Sequence, residues 1–126
     1  MIRVITNDYM AEMTANSPRV IQNYSNAERL VIVPGHAIYK GIAASDFKLD
    51  EYWVGGFPKQ AKLYAEHTFA GIECSLNSKT LLVFSGGQTR TEVAGTDTEA
   101  QSYYRGADQN NFLYKPGVKE RSRVEI

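Results

Sequence analysis

Two short apolar runs constrain the fold of this 126-residue chain more than any other feature. One spans residues 29–34 (RLVIVP) and closes at Gly35; the other spans residues 80–84 (TLLVF) and closes at Ser85-Gly86-Gly87. Uninterrupted, largely β-branched runs bounded by turn residues are typical of strands buried on both faces, which occur in parallel sheets covered by helices. We therefore predict two such strands, each covered on both faces.

The segment between the two runs is predicted to be a crossover helix over residues 58–76, opened by Pro58 in its first turn. Its charged residues fall in one narrow arc of the helical wheel, and an apolar stripe lies beside that arc. We expect only the charged ridge to meet water, and His67, which lies outside that arc, to be a partly buried core histidine. A βαβ unit over residues 29–85 follows, with parallel strands and a right-handed crossover.

The rest of the chain is less clearly patterned. We expect a single domain over 1–126 with a poorly defined segment over 1–27, in which Val4, Ile5, Met10 and Met13 fit a short helix. Residues 35–57 predict a long loop containing Asp46, Asp50 and Trp53. The spacing of Thr96 and Glu99 predicts a capping box that opens a helix through Arg105. The run from 123 to 126 looks like the start of a further element.

Composition excludes several classes of protein. Fourteen basic residues balance fourteen acidic ones, so no global field attracts nucleic acid or an anionic membrane. One cysteine and two histidines exclude an intrachain disulfide framework and a standard structural zinc site. No apolar run approaches the roughly 20 residues that span a bilayer, and no signal-peptide core is present. We expect a cytoplasmic protein without nucleic-acid or membrane partners.

The residues that follow the two strands are the candidate site. In open α/β sheets, ligands bind at the carboxyl ends of the strands, and glycine there lets the backbone approach a ligand closely. A tight turn alone explains one such glycine, but two strand ends with the same property favour a binding site. The predicted ligand-binding residues are Gly35, His36, Ser85, Gly86, Gly87, Gln88, Thr89 and Arg90.

Three of these side chains and Glu99 carry candidate chemistry. Arg90 can hold a phosphate or carboxylate, and His36 and Glu99 can orient a ligand or exchange protons as catalytic residues. Each of the three residues also has an ordinary structural interpretation. Arg90 could simply be solvated, His36 could cap the loop, and Glu99 could complete the capping box. Ser85 is a hydrogen-bond donor rather than a nucleophile, because its surroundings miss the G-x-S-x-G elbow. Neither G-x-G-x-x-G nor a P-loop motif is present.

Four segments of the chain resemble one known family. LVIVPGHAIYKG (30–41), AEHTFAGIE (65–73), LLVFSGGQTR (81–90) and TEAQSYY (98–104) resemble, in order, the fungal branch of the YdcF/SanA-like domains of unknown function. The resemblance implies a Rossmann-like, three-layer α/β sandwich that binds a nucleotide-like ligand, with S-adenosylmethionine suggested for bacterial relatives. It also implies a polar pair at Glu66-His67, and that the chain corresponds to the N-terminal half of the domain.

Three functional hypotheses follow, and the sequence leaves them open. The first is an α/β protein that binds a nucleotide-like or phosphorylated ligand, with the reaction unassigned. The second is a non-catalytic short paralogue that acts by self-association as a homodimer or by pairing with another chain, since a small sheet leaves an edge unpaired. The third and least favoured is a serine hydrolase acting through Ser85.

Overall fold

The computed structural model of the protein describes residues 4–5 and 27–126. Within them lie the strands β1 (Val4–Ile5), β2 (Arg29–Pro34), β3 (Ile38–Tyr39), β4 (Trp53–Val54), β5 (Thr80–Ser85) and β6 (Ser122–Glu125). The helices are α1 (Ala61–Cys74), α2 (Thr91–Ala94), α3 (Glu99–Gln109) and α4 (Val118–Arg121), and two short 3₁₀ turns span Ala44–Lys48 and Asp50–Tyr52. The chain is therefore mixed α/β.

The main sheet has the order β1-β6-β5-β2, and its last three strands run parallel. Strands β2 and β5 pair over six residues, from Arg29 opposite Thr80 to Pro34 opposite Ser85. Strand β1 pairs antiparallel with β6. The predicted parallel pairing of the two apolar runs is confirmed, and the element expected after residue 123 is the third parallel strand.

The helices in the described part of the chain cover one face of this sheet. Side chains of α1, α3 and α4 share a single core with inward-facing residues of all three parallel strands, among them Tyr64, Tyr103, Val118, Val33, Phe84 and Val124. Two successive crossovers that advance in the same direction place their helices on the same face when both are right-handed. The described residues thus form two layers, and none of their helices is both long and apolar enough to cross a bilayer.

Strand β2 is not buried on both faces, contrary to the prediction. Leu30 and Ile32 are 51% and 48% exposed, whereas Val33 on the other face is 3% exposed. The reason is position: β2 is the last strand in the described sheet order. Val83, which pairs with Ile32 from the neighbouring strand β5 and lies on the same face, is only 2% exposed. An apolar run alone cannot distinguish such an edge strand from a central one.

Helix α1 is shorter and more exposed than predicted. It starts at Ala61 rather than Pro58, because Lys59 adopts a left-handed backbone (φ 61°) and the Asp50 carboxylate accepts the Ala61 N–H at 3.0 Å. The prediction of a thin exposed ridge is wrong, since several apolar side chains also meet water: Leu63, Phe69, Ala70 and Cys74. His67 is likewise exposed rather than buried in the core.

The segment over 35–57 is more ordered than a long loop. Strands β3 and β4 form a two-stranded antiparallel sheet within it, and Trp53 joins the aromatic core and donates its indole N–H to the Phe47 carbonyl at 3.0 Å. Asp46 accepts the Ile42 and Ala43 N–H groups. In the N-terminal segment, Val4 and Ile5 form a strand rather than the predicted helix; Met10 and Met13 lie outside the described residues.

Gly71 lets the crossover helix approach the sheet closely. A Cβ at this position would lie 2.4 Å from Cγ2 of Val33 on β2, a separation that real packing does not allow. Val33 is β-branched and therefore has little rotamer freedom to move aside. The contact between α1 and β2 thus depends on the missing side chain.

We predict that Gly71→Ala lowers the free energy of unfolding by about 1–3 kcal/mol, because the added methyl overpacks the interface. Helix propensity alone would instead raise stability by roughly 1 kcal/mol. Urea unfolding measures the difference. Ala70→Gly, at the exposed neighbouring position, calibrates the propensity effect. A Gly71→Ala protein more stable than the wild type would contradict the close packing.

Candidate functional site

The carboxyl ends of β2 and β5 lie side by side, as predicted. Gly35 extends the pairing by one residue and donates its N–H to the Ser85 carbonyl at 2.7 Å. The turn that carries His36 and the turn that carries Gly86 and Gly87 therefore leave the sheet at the same edge. Parallel pairing in register produces this arrangement without any further interaction.

The first residue of α3 fills the space between the two turns. The helix is held there by backbone bonds from Glu99 N–H to the Gly87 carbonyl (3.1 Å) and from Ala100 N–H to the Gly86 carbonyl (3.2 Å). A Cβ at Gly35 would lie 2.5 Å from Cβ of Glu99, and one at Gly86 would lie 2.6 Å from it. Gly35 and Gly86 thus make room for Glu99, while no atom lies within 4 Å of a Cβ built on Gly87.

The start of α3 differs from the predicted capping box. Thr98, not Thr96, is the N-cap: its hydroxyl accepts the Gln101 N–H at 3.0 Å, and the helix runs to Gln109 instead of Arg105. Glu99 is consequently the first helical residue and does not reach back to Thr96. Asp97, between the two threonines, pairs with Arg105 at 2.9 Å. The shift of two residues turns Glu99 from a capping residue into a residue of the strand-end site.

Glu99 is a nearly buried carboxyl group, with 9% of its surface exposed. Burial raises its pKa above the ordinary value of 4.5, and three neighbours oppose that rise: the Arg90 guanidinium, a hydrogen bond from the Thr89 side chain and the charge of His36. These three residues were all predicted to belong to the site. The structure brings them together around one carboxyl group that can take up a proton more readily than an exposed glutamate.

Arg90 reaches the strand ends from the loop after β5 and packs against a second loop. Its Nε would lie 2.1 Å from a Cβ at Gly55, so the guanidinium rests on the bare backbone of that glycine. The Nε–H is buried and has no hydrogen-bond partner among the residues that the structure describes. A buried guanidinium donor without a partner is an unusual feature, and a guanidinium group is well suited to binding an anion.

His36 stands at the mouth of the site with an exposed side chain. Its backbone N–H donates to the Tyr103 hydroxyl at 3.2 Å, and its ring stacks on Tyr64 with centroids 6.1 Å apart. Tyr64 and Tyr103 in turn pack on Trp53, with centroids at 5.0 and 5.2 Å. Burial raises the pKa of the Tyr103 hydroxyl, which keeps it protonated. The aromatic cluster therefore fixes the backbone from which His36 projects.

The remaining predicted residues form the rim. Ser85 is half-buried, and Gln88 and Thr89 are exposed. The Gln88 amide lies 3.5 Å from the Gly95 carbonyl, at the edge of the next turn. Among the described residues, no group of three His, Cys, Asp or Glu side chains could hold a metal ion.

Four residues that the sequence patterns do not single out support the site from the second loop and two helices: Gly55, Gly56, Tyr64 and Tyr103. The adjacent glycines are the one sequence signal of an unusual turn at this place. In the structure both have positive φ angles (78° and 68°), which other residues rarely adopt. Nothing in the sequence indicates that these glycines lie near Arg90, which follows Gly56 by thirty-four residues.

Comparison of the chain with protein-family models, curated proteins and solved structures finds no match.

Replacing Glu99 by Gln should remove a pH dependence of stability. Because the pKa of Glu99 is raised in the folded protein, its contribution is fully present below about pH 4.5 and is lost as pH rises through the folded pKa. Glu99→Gln keeps the shape and does not titrate, so its Tm should exceed that of the wild type by a margin that grows with pH.

Thermal unfolding across a pH series measures this margin. Glu66→Gln, at an exposed position on α1, is the control and should give no comparable trend. A Tm difference for Glu99→Gln that stays constant from acid to neutral pH would show that the carboxyl group is not perturbed by burial.

Proposed function

We propose that the chain is a Rossmann-like α/β domain of the YdcF/SanA-like kind that binds a small nucleotide-like or phosphorylated ligand at the carboxyl ends of β2 and β5. Three of the four segments that carry the resemblance meet at this one edge: GHAIY after β2, SGGQTR after β5 and EAQSYY in α3. The βαβαβ order of the parallel strands supports the same assignment. The proposal also includes a third layer on the other face of the sheet, as expected of a three-layer sandwich.

One observation carries the proposal: the Arg90 guanidinium lies beside nearly buried Glu99, with a buried Nε–H that has no partner among the described residues. An anionic group placed there would accept from Arg90 and from His36 in its protonated form. It would also meet the uncovered backbone at Gly87, where no side chain intervenes. Arg90 and His36 thus supply positive charge at a place where the backbone is accessible.

Glu99 and His36 are the groups that can move a proton in this site. Glu99 with a raised pKa can donate a proton to a ligand oxygen or accept one from a ribose hydroxyl. His36 is exposed, and an imidazole ring can both donate and accept a proton. The proposal assigns these two residues to proton exchange and ligand orientation, and it assigns no particular reaction. S-adenosylmethionine and adenine nucleotides are the ligands to test.

Isothermal titration with adenosine 5′-monophosphate and S-adenosylmethionine tests the proposal. Binding of either compound should weaken by about tenfold or more in Arg90→Gln, because a charge-assisted hydrogen bond contributes roughly 1.5–3 kcal/mol. Arg29→Gln, at the opposite end of β2, is the matched control and should change affinity less than about twofold. Binding that is unaffected by Arg90→Gln, or absent for both compounds, would refute the site.

A second candidate function is self-association through β2, and it is supported by the exposure of Leu30 and Ile32 on the last strand of the described sheet. An apolar edge strand can pair with the same strand of another copy. Ile32→Lys should then convert a dimer into a monomer in analytical ultracentrifugation, with Leu63→Lys, at an exposed position on α1, as the control. A wild-type protein that sediments as a monomer at high concentration would exclude this function.

A further inference from the structure

A pocket of about 220 Å³ lies beside the strand-end site, under the loop between β4 and α1. Aromatic side chains and bare glycine backbone form much of its wall: Trp53, Gly55, Gly56, Phe57 and Tyr64. One acidic and one basic residue, Asp50 and Lys59, also line it. Their charges offset one another, so the pocket has no excess positive charge that would attract a phosphate.

Two residues join this pocket to the strand-end site. Tyr64 lines the pocket and stacks on the ring of His36. Gly55 also lines the pocket, and the Arg90 guanidinium lies against its backbone. At Gly56, an added Cβ would lie 2.9 Å from the His36 carbonyl oxygen and 2.5 Å from the Tyr64 hydroxyl. The pocket wall therefore contacts both residues that the proposed function assigns to the anion.

One residue of the loop over the pocket, Lys59, has a backbone conformation that is unfavourable for a residue with a side chain, whereas glycine adopts it readily. Gly55, Gly56 and Lys59 all have positive φ angles, and at Lys59 (61°) a side chain must be accommodated in the left-handed region. Phe57 between them is 81% exposed, which leaves a large aromatic ring in water at the pocket edge. Conformations of this kind cost about 1–3 kcal/mol and concentrate at ligand-binding sites. Aromatic rings at such edges are suited to stacking on a planar ligand.

The size of the pocket indicates that it holds part of a ligand. Pockets that enclose a whole small molecule measure roughly 300–1,000 Å³, and this one is smaller. Phe57 and Trp53 in its wall suit a planar ring, whereas Arg90 and His36 at the adjoining strand ends suit an anion. The two sites together match a molecule that carries both groups a short distance apart.

We propose that this pocket is the ring subsite of a bipartite ligand, a planar nitrogenous ring joined to a phosphate, as in a nucleoside monophosphate. The ring lies against Phe57 at the pocket edge, and the phosphate lies at the strand ends near Arg90. The inference rests on the proposed function, to which it adds the ligand class and the residues that select it. Phe57 is the residue that distinguishes a nucleotide from a simple sugar phosphate.

Three probes separate the two parts of the ligand in isothermal titration: adenosine 5′-monophosphate, ribose 5-phosphate and adenosine. Phe57→Ala should weaken adenosine 5′-monophosphate and adenosine by about tenfold, since stacking of a base on an aromatic ring contributes roughly 1–3 kcal/mol. It should leave ribose 5-phosphate unchanged. Because Phe57 is exposed, the substitution should not disturb folding, and Phe69→Ala, at an exposed aromatic outside this pocket, is the matched control.

The outcomes distinguish the two proposals. If ribose 5-phosphate binds as tightly as the nucleotide and Phe57→Ala affects neither, the ring subsite is refuted while the anion site stands. If adenosine binds as tightly as the nucleotide and Arg90→Gln affects neither, the anion site is refuted. A nucleotide that binds more tightly than both fragments, and that loses affinity in both variants, supports the bipartite ligand. If none of the three probes binds, both proposals fail.

Discussion

The in-register parallel pairing of β2 with β5 is the constraint on which the rest of the structure depends. Six backbone pairs align the two strands, and the hydrogen bond from Gly35 N–H to the Ser85 carbonyl carries the alignment into the turns. A shift of β2 by one residue would reverse its two faces and move Val33 away from α1. It would also separate the turn of His36 from the turn of Gly86. The location of the candidate site is therefore a consequence of strand register.

Glu99 is the titratable group that this backbone arrangement buries at the candidate site. Two glycines leave space for the first residue of α3, and the resulting burial raises the pKa of its carboxyl group. Burial of a carboxylate is unfavourable unless opposite charge or hydrogen bonds accompany it. Arg90, Thr89 and His36 provide these, and the site is thereby assembled from one helix and the two strand ends. The same contacts hold Arg90 against Gly55, which links the site to the aromatic pocket.

The sequence predicts the parallel βαβ unit because its signals are local: two continuous apolar runs, each closed by glycine, with a helix between them. It does not predict the exposure of Leu30 and Ile32, which lie on the last strand of the described sheet, whereas Val83 on the same face of β5 is buried. The start of α1 depends on a bond from Ala61 to Asp50, eleven residues away, and the role of Glu99 depends on which of two nearby threonines caps α3. The first two features depend on contacts formed only in the folded chain, and the start of α3 is held in place by backbone bonds from Glu99 and Ala100 to the turn after β5. The role of the glycine pair at 55–56 becomes apparent only from the contact between Gly55 and Arg90 in the folded chain.

The structure brings the turns after β2 and β5 to one edge of the sheet, and we propose that they bind one ligand together. An amide-resolved nuclear magnetic resonance titration of the isotopically labelled protein with adenosine 5′-monophosphate tests this most directly. The account predicts that the amides of Gly35 and His36 shift together with those of Gly86, Gly87 and Arg90, and that all follow one binding curve. Shifts confined to one of the two turns, or two groups of amides that titrate with different affinities, would contradict it.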